Sequence, residues 1–152
     1  MNIQIYGTHY TKKGAFGDFE WMCTQNKYID SLFIFNDNEE YHATNYPGMG
    51  NAVIRKYNKY NNELSKPKSA GICTGTLKHK GYKELSKHNK NIIDTNIAEI
   101  KNIIKQYKYE YIYYSVGINN KLGTSIFTVA EDVINYIDKQ ISELSTLDVI
   151  YR

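Results

Sequence analysis

The sequence predicts an α/β fold, a mixed and largely parallel sheet with helices on its faces. Three observations carry that prediction. The run "SLFIF", residues 31 to 35, is continuously apolar and bounded by polar residues, as a strand covered on both faces of a sheet should be. From Asn91 to Tyr107, the apolar positions Ile92, Ile93, Ile97, Ile100, Ile103 and Ile104 recur at spacings that define one helical stripe, with Asn96 inside it and Glu99, Lys101 and Lys105 outside. Strand-like and helical segments then alternate along the chain, the pattern that yields parallel strands joined by crossovers. With 152 residues, the span 1–152 is read as a single domain with one core.

The elements follow in order. "NIQIYGT", residues 2 to 8, alternates apolar and polar positions and predicts a half-buried strand at the sheet edge. "TKKGAFGDFEWMCTQN" reads as a glycine-containing loop leading into a short helix that buries an aromatic face. After the strand at 31–35, "KYNNELSKPK" has the composition of a surface loop, and "SAGICTGT", residues 69 to 76, is a strand of small residues opening into a glycine loop. The isoleucine-rich helix comes next. "YEYIYYSVG", residues 109 to 117, predicts a strand and turn. Past "NKLGTSIF", Thr128 and Glu131 have the spacing of a capping box, and Val129, Val133, Ile134, Ile137, Ile141 and Leu144 continue a helical stripe. "TLDVIYR" predicts a last short strand paired to a sheet edge.

Composition narrows the function classes. Lysine and arginine number 19 against 16 acidic residues, a formal charge of +3 that falls short of the basic face expected of a nucleic-acid binder. The two cysteines, Cys23 and Cys73, cannot build a zinc site, and no metal or cofactor is expected. The first residues lack a signal-peptide layout and no stretch is apolar for the length of a membrane span, so the expectation is a cytoplasmic protein without a membrane partner. Heavy use of Ile, Lys, Asn and Tyr matches low-GC bacteria and their phages, which for a viral protein means the host cytoplasm.

In open α/β sheets, ligands bind at the carboxyl ends of the strands, where loops converge. Here "LFIF" runs into "NDNEE", "SAGI" into "CTGTLKHKGY" and "YIYY" into "SVGINNKLGTS". "YPGMGNAVIRKY" supplies Gly48 and Gly50 before an apolar run, a loop whose backbone amides can approach a phosphate. Glu39, Glu40 and His42 form the only grouping suited to acid–base chemistry, although neighbouring residues of an extended segment point to opposite sides. Arg55, one of two arginines, has the fork for two-pronged contact with a phosphate or carboxylate, and by its place near the glycine loop is counted among the ligand-binding candidates. Cys73 reads as a small buried apolar residue, because no base is near it in sequence. Tyrosine is abundant, with 15 residues, and Tyr41, Tyr46, Tyr57, Tyr82, Tyr113 and Tyr114 near these loops offer rings on which a base can stack.

The order "FIFNDN", then "PGMGNAVI", then "GICTGTLKHKGY", then a helix and "YIYYSV" resembles the macro domain, an ADP-ribose-binding α/β module, over roughly residues 31 to 117. The segment "NDNEE" is more acidic than the family's, its triple-glycine run is here Gly-Met-Gly, and the chain is shorter by a strand or helix. The resemblance implies a three-layer sandwich that binds ADP-ribose, an ADP-ribosylated target or a related nucleotide signal. It implies that Asn38 bonds the distal ribose, with Asn36 and Asp37 shaping the loop or meeting the ligand from its other side. Gly48, Gly50 and Asn51 would offer amides to one phosphate; Thr74, Gly75 and Thr76 would hold the other; Ser115 and Gly117 would line the far wall. The alternative it implies is a hydrolase of ADP-ribose or phosphate linkages, with Asn38 placing the ribose and Glu39, Glu40 or His42 moving the proton.

Overall fold

A computed structural model describes residues 2–124 and 127–152 of the chain. Ser125 and Ile126, part of the segment read above as the approach to the last helix, lie outside the described residues. Strands β1 (Gln4–Thr8), β2 (Ser31–Asn38), β3 (Ser69–Thr76), β4 (Lys80–Gly81), β5 (Tyr111–Ser115) and β6 (Ile150–Tyr151) form one six-stranded sheet in the order β4-β3-β2-β5-β1-β6. Every neighbouring pair is parallel except β3 and β4, which form a hairpin. The fold is α/β, as the alternation of elements predicts.

Helices cover both faces. Helices α2 (Lys87–Gln106) and α3 (Glu131–Ser142) pack on one face, where Leu32, Ile34, Ile72, Ile112, Ile97, Ile100 and Ile137 build the larger core. On the other face, helix α1 (Phe19–Met22) and a 3-10 helix at Gly50–Tyr57 bury Phe19, Met22 and Ile54 against Phe33, Phe35 and Tyr113. Alternation along β2 explains the division: Leu32 and Ile34 face one core, Phe33 and Phe35 the other. Among the described residues no helix is long and apolar enough to cross a membrane.

Several boundaries differ from the sequence expectation, each for a physical reason. β1 does not lie at the edge, because β6 pairs with its Tyr6 and Gly7. The ring of Tyr151 lies over Gly7, where a Cβ would come within 2.7 Å of it. α2 begins earlier than its apolar stripe, at Lys87, since the Ser86 side chain caps the Asn89 amide at 3.1 Å. The capping box at Thr128 and Glu131 does not form. Residues 128–130 are held extended against β4, with the Ala130 amide donating to the Tyr82 carbonyl at 2.9 Å, so Ala130 is the N-cap and no side chain caps it. The glycine loop enters a helix, here of the 3-10 type, with Gly50 at φ +60°.

Candidate functional site

The crossovers define where a site belongs. The connection from β2 runs outward to β3, whereas the one from β5 runs the opposite way, past β1 to β6. β2 and β5 are neighbours in the sheet, so their carboxyl ends flank the point at which the connections diverge, where a ligand site is expected in such folds.

Two side-chain hydrogen bonds cross that line. Asn36 donates through Nδ2 to the Gly123 carbonyl at 2.6 Å, joining the end of β2 to the loop after β5. Asn51, at the start of the 3-10 helix, donates through Nδ2 to Ser115 Oγ at 2.8 Å. Gly50 beside it has an open left-handed backbone, with no atom within 4 Å of where a Cβ would stand. Gly117 belongs to the turn on the far side, its amide donating to the Lys121 carbonyl at 2.8 Å. The structure thus brings together Asn36, Gly50, Asn51, Ser115 and Gly117.

Thr74, Gly75 and Thr76 stand one strand away, at the β3–β4 hairpin. The Thr74 carbonyl accepts the Tyr82 amide, Thr76 Oγ1 accepts the His79 amide, and a Cβ on Gly75 would collide with the Lys80 carbonyl at 1.9 Å. The acidic pair lies on that same side. Glu39 accepts from the Tyr82 hydroxyl at 2.7 Å and lies 3.1 Å from His88 Nε2; Glu40 accepts the Leu77 amide at 3.0 Å. Asn38 accepts the Tyr41 amide through Oδ1 at 2.9 Å, the Asx turn that lets β2 reverse.

Asp37 and Arg55 turn inward instead. Asp37 continues the side of β2 occupied by Phe33 and Phe35, and its side chain is fully buried. Its Oδ1 accepts from Arg55 Nε at 3.0 Å, Arg55 Nη2 at 2.5 Å and the Asn38 amide at 2.8 Å. Its Oδ2 faces His42 Nδ1 at 2.9 Å. Arg55 is 1% exposed, and Nη1 donates to the Tyr46 carbonyl at 2.9 Å. Of the two anions expected for Arg55, its fork takes a carboxylate, that of Asp37, and also the loop that carries Gly48; its place among the ligand-binding residues needs correction, because the side chain is buried and engaged within the protein. A Cβ on Gly48 would stand 2.9 Å from Ala52 Cβ and 3.0 Å from Arg55 Nη1, so a larger residue there would push on the 3-10 helix.

His42 lies between two carboxylates, with Nε2 2.6 Å from Glu99 Oε1 on α2. Burial alone would lower its pKa, but Asp37, Cys73 and Glu99 outweigh it and push the imidazole up to about 12. Both ring nitrogens therefore carry protons at neutral pH. Burial works against ionised Glu99 too, yet His42 and the Tyr60 hydroxyl, 2.7 Å from Oε2, bring its carboxyl down to about 2. Asn96 closes the group. Its Oδ1 accepts the Cys73 amide at 2.8 Å, and its Nδ2 lies 3.1 Å from His42 Nε2 and donates to Glu99 Oε1 at 3.4 Å.

This group covers the outer edge of β3, since β4 pairs with Gly75 and Thr76 alone. A cavity of about 20 Å³ lies beside that edge, lined by His42, Tyr60, Gly71 and Glu99. Gly71 is the contact point: a Cβ there would stand 2.3 Å from Asp37 Oδ2. Gly71→Ala is expected to expel the carboxylate from its buried position and to lower stability by about 3 kcal/mol or more. Urea denaturation measures this, and a loss below about 1 kcal/mol would show that Asp37 can relocate cheaply.

The Cys73 thiol is held in its neutral form by burial, against an opposing influence of His42. Among the described residues no group of His, Cys, Asp and Glu is arranged to hold a metal ion. Sequence reasoning missed Asn96, Glu99 and Tyr60. An asparagine within an isoleucine stripe is the one signal that marked any of them, because a buried amide needs partners.

The fold and the strand-end geometry define an α/β protein with a doubly wound, mostly parallel sheet and a group of polar residues where its crossovers diverge. The chain matches no protein-family model, and neither the curated proteins nor the solved structures give a match.

Proposed function

We propose that the protein binds ADP-ribose or a related nucleotide derivative at the carboxyl ends of β2 and β5, and holds it without turnover. The observation that carries this reading is the divergence of the β2 and β5 crossovers, with Asn36, Gly50, Asn51 and Ser115 gathered at that point. The order of loops that resembles a macro domain supports the same ligand class. In this reading Gly50 and Asn51 present backbone amides to a phosphate, and Asn36 and Ser115 bond the sugar or diphosphate. Arg55 acts from behind, fixing the Tyr46–Gly48 loop through the Tyr46 carbonyl. Tyr41 and Tyr46, stacked with centroids 5.5 Å apart, offer a ring face to a base. Binding without turnover is supported by Glu39, Glu40 and His42, each held by partners within the chain.

Calorimetry with ADP-ribose tests the proposal. A saturable heat is expected, weakened about tenfold or more by Asn51→Ala or Ser115→Ala, the size of a lost polar contact of about 1.4 kcal/mol. No heat and no thermal shift at millimolar ligand would overturn it. A ligand that returns chemically altered would instead mark a hydrolase acting through Glu39, Glu40 or His42.

A further inference from the structure

At the amino ends of β2 and β3, away from the polar residues gathered at the other end of the sheet, lies a pocket of about 140 Å³. Residues 23–29, which join α1 to β2 through a 3-10 turn at Asn26–Tyr28, supply most of its lining, and Phe33 of β2 and Lys68, the residue before β3, complete it. Phe33 and Cys23 are 1% and 5% exposed and Tyr28 is partly buried, while Asn26 and Ile29 are exposed and stand at the mouth. About 150 Å³ is room enough for one benzene ring.

Lys68 gives this pocket its charge. Its backbone is fixed on both sides, the amide donating to the Tyr57 carbonyl and the carbonyl accepting the Phe33 amide, each at 2.9 Å. Its ammonium donates to the Cys23 carbonyl at 3.1 Å and lies 5.2 Å from the centre of the Tyr57 ring. An ammonium carries three N–H bonds, so these contacts use only part of what it can donate.

The other partly buried lysines are treated differently. Lys56, Lys66 and Lys121 each face a carboxylate, at 3.5, 3.5 and 3.4 Å, whereas among the described residues Lys68 has none within 4.0 Å. The acidic residues on the segments that flank residues 23–29 are engaged elsewhere: Asp18 by the Gly14 and Trp21 amides, Glu20 by Lys56 and Asp30 by Lys66. Lys68 is therefore a partly buried cation whose counter-charge the fold does not supply, and it lines the same pocket as the rings of Phe33 and Tyr28.

We propose that this pocket binds a small carboxylic acid with an aromatic or branched aliphatic body, its carboxylate on the Lys68 ammonium and its body against Phe33, Tyr28 and Ile29. A carboxylate accepts the remaining N–H bonds as charge-assisted hydrogen bonds. Inorganic phosphate would lose its hydration against apolar walls with a single cation to meet it. An amine of the same shape would set like charges together. A nucleoside exceeds a space of one ring, which separates this site from the proposed nucleotide site at the carboxyl ends of β2 and β5.

The test is a titration of the full chain followed by amide ¹H–¹⁵N spectra, with benzoate, isovalerate, benzylamine and inorganic phosphate as probes. Benzoate or isovalerate at millimolar concentration is expected to shift the amides of residues 24–29 and Lys68 saturably, while benzylamine and phosphate leave them in place. Lys68→Met keeps the apolar stem and removes the charge; Ile29→Asp sets a competing carboxylate at the mouth. Each is expected to weaken acid binding about tenfold or more. Ile29 is 61% exposed, so its variant folds even where the loss of the Lys68–Cys23 hydrogen bond disturbs the first. Asn51→Ala is expected to bind the acid as the parent does. No saturable shift with either acid, equal shifts with benzylamine, shifts centred on Gly50, Asn51 and Ser115 instead, or undiminished acid binding by Ile29→Asp would overturn the proposal.

Discussion

Asp37→Ala is expected to lower the free energy of unfolding by about 3–5 kcal/mol, the cost of leaving one partner of a buried ion pair alone. The side chains of Asp37 and Arg55 are 0% and 2% exposed, and Asp37 binds Arg55, His42 and the Asn38 amide at once. Removing the carboxylate leaves buried Arg55 and half-buried His42 facing each other across the vacated space. For a domain of this size the loss corresponds to a fall in Tm of about 10 °C. The double variant Asp37→Leu, Arg55→Met is expected to recover much of the loss, because no uncompensated charge remains. The loop that Arg55 holds through the Tyr46 carbonyl would stay loose even then, so nucleotide affinity should not recover with stability. A single-variant loss below about 1 kcal/mol in urea titrations would refute the assignment of this pair as the anchor of the strand end.

The second large effect is on the pH dependence of stability. The folded-state pKa of His42 is raised from 6.5 to about 12, so its contribution is fully present below pH 6.5 and is lost as pH rises toward 12. Within that window stability should fall with a slope of up to about 1.4 kcal/mol per pH unit. Glu99 has the opposite sign: lowered from 4.5 to about 2, it stabilises above pH 4.5 and loses that effect as pH falls through 2. Asp138 adds a third contribution. Burial raises its carboxyl from 3.8 to about 6, although it accepts the Leu122 amide, so its ionisation costs stability as pH climbs from 3.8 to 6. Between pH 7 and 9, His42 is the group among these three that still titrates differently in the two states. Denaturation midpoints across that range should fall steadily, and His42→Gln should flatten the slope whatever it does to stability at pH 6. A flat profile in the parent protein would show that His42 is not held doubly protonated between its carboxylates.

Much of the fold is legible where one local signal dominates. β3 begins and ends at residues 69 and 76 as its composition predicts, since small apolar residues between polar loops leave little choice. The isoleucine stripe of α2 is equally plain, and its polar first turn was hidden because capping by Ser86 leaves no periodic trace. β4 was missed because two residues with Lys80 at φ +60° look like loop in any local window. The last helix starts at Glu131 because residues 128–130 are claimed by β4, a long-range competition that propensity cannot register.

The candidate site divides in the same way. That β2 would deliver Asn36, Asp37 and Asn38 to the sheet edge follows from an apolar run ending in polar residues. Which way each side chain turns does not. Arg55 finds Asp37 across 18 residues and His42 finds Glu99 across 57, and such pairings exist only once the sheet is assembled. Arg55 stood out in a lysine-rich chain for a sound chemical reason, its two-pronged fork, but the carboxylate it grips belongs to the protein itself.

The β3 margin has a consequence for how the molecule behaves in crowded solution. Where a seventh strand would add, the outer side of β3 is closed by a latticework of His42, Asn96, Glu99 and Tyr60, with Asn96 already holding the Cys73 amide. An incoming β-segment would have to strip paired charges of their partners before it gained its first ladder bond. Fibril growth from that side is therefore obstructed by electrostatics in the native state, and this protection lasts only as long as the imidazole keeps both of its protons.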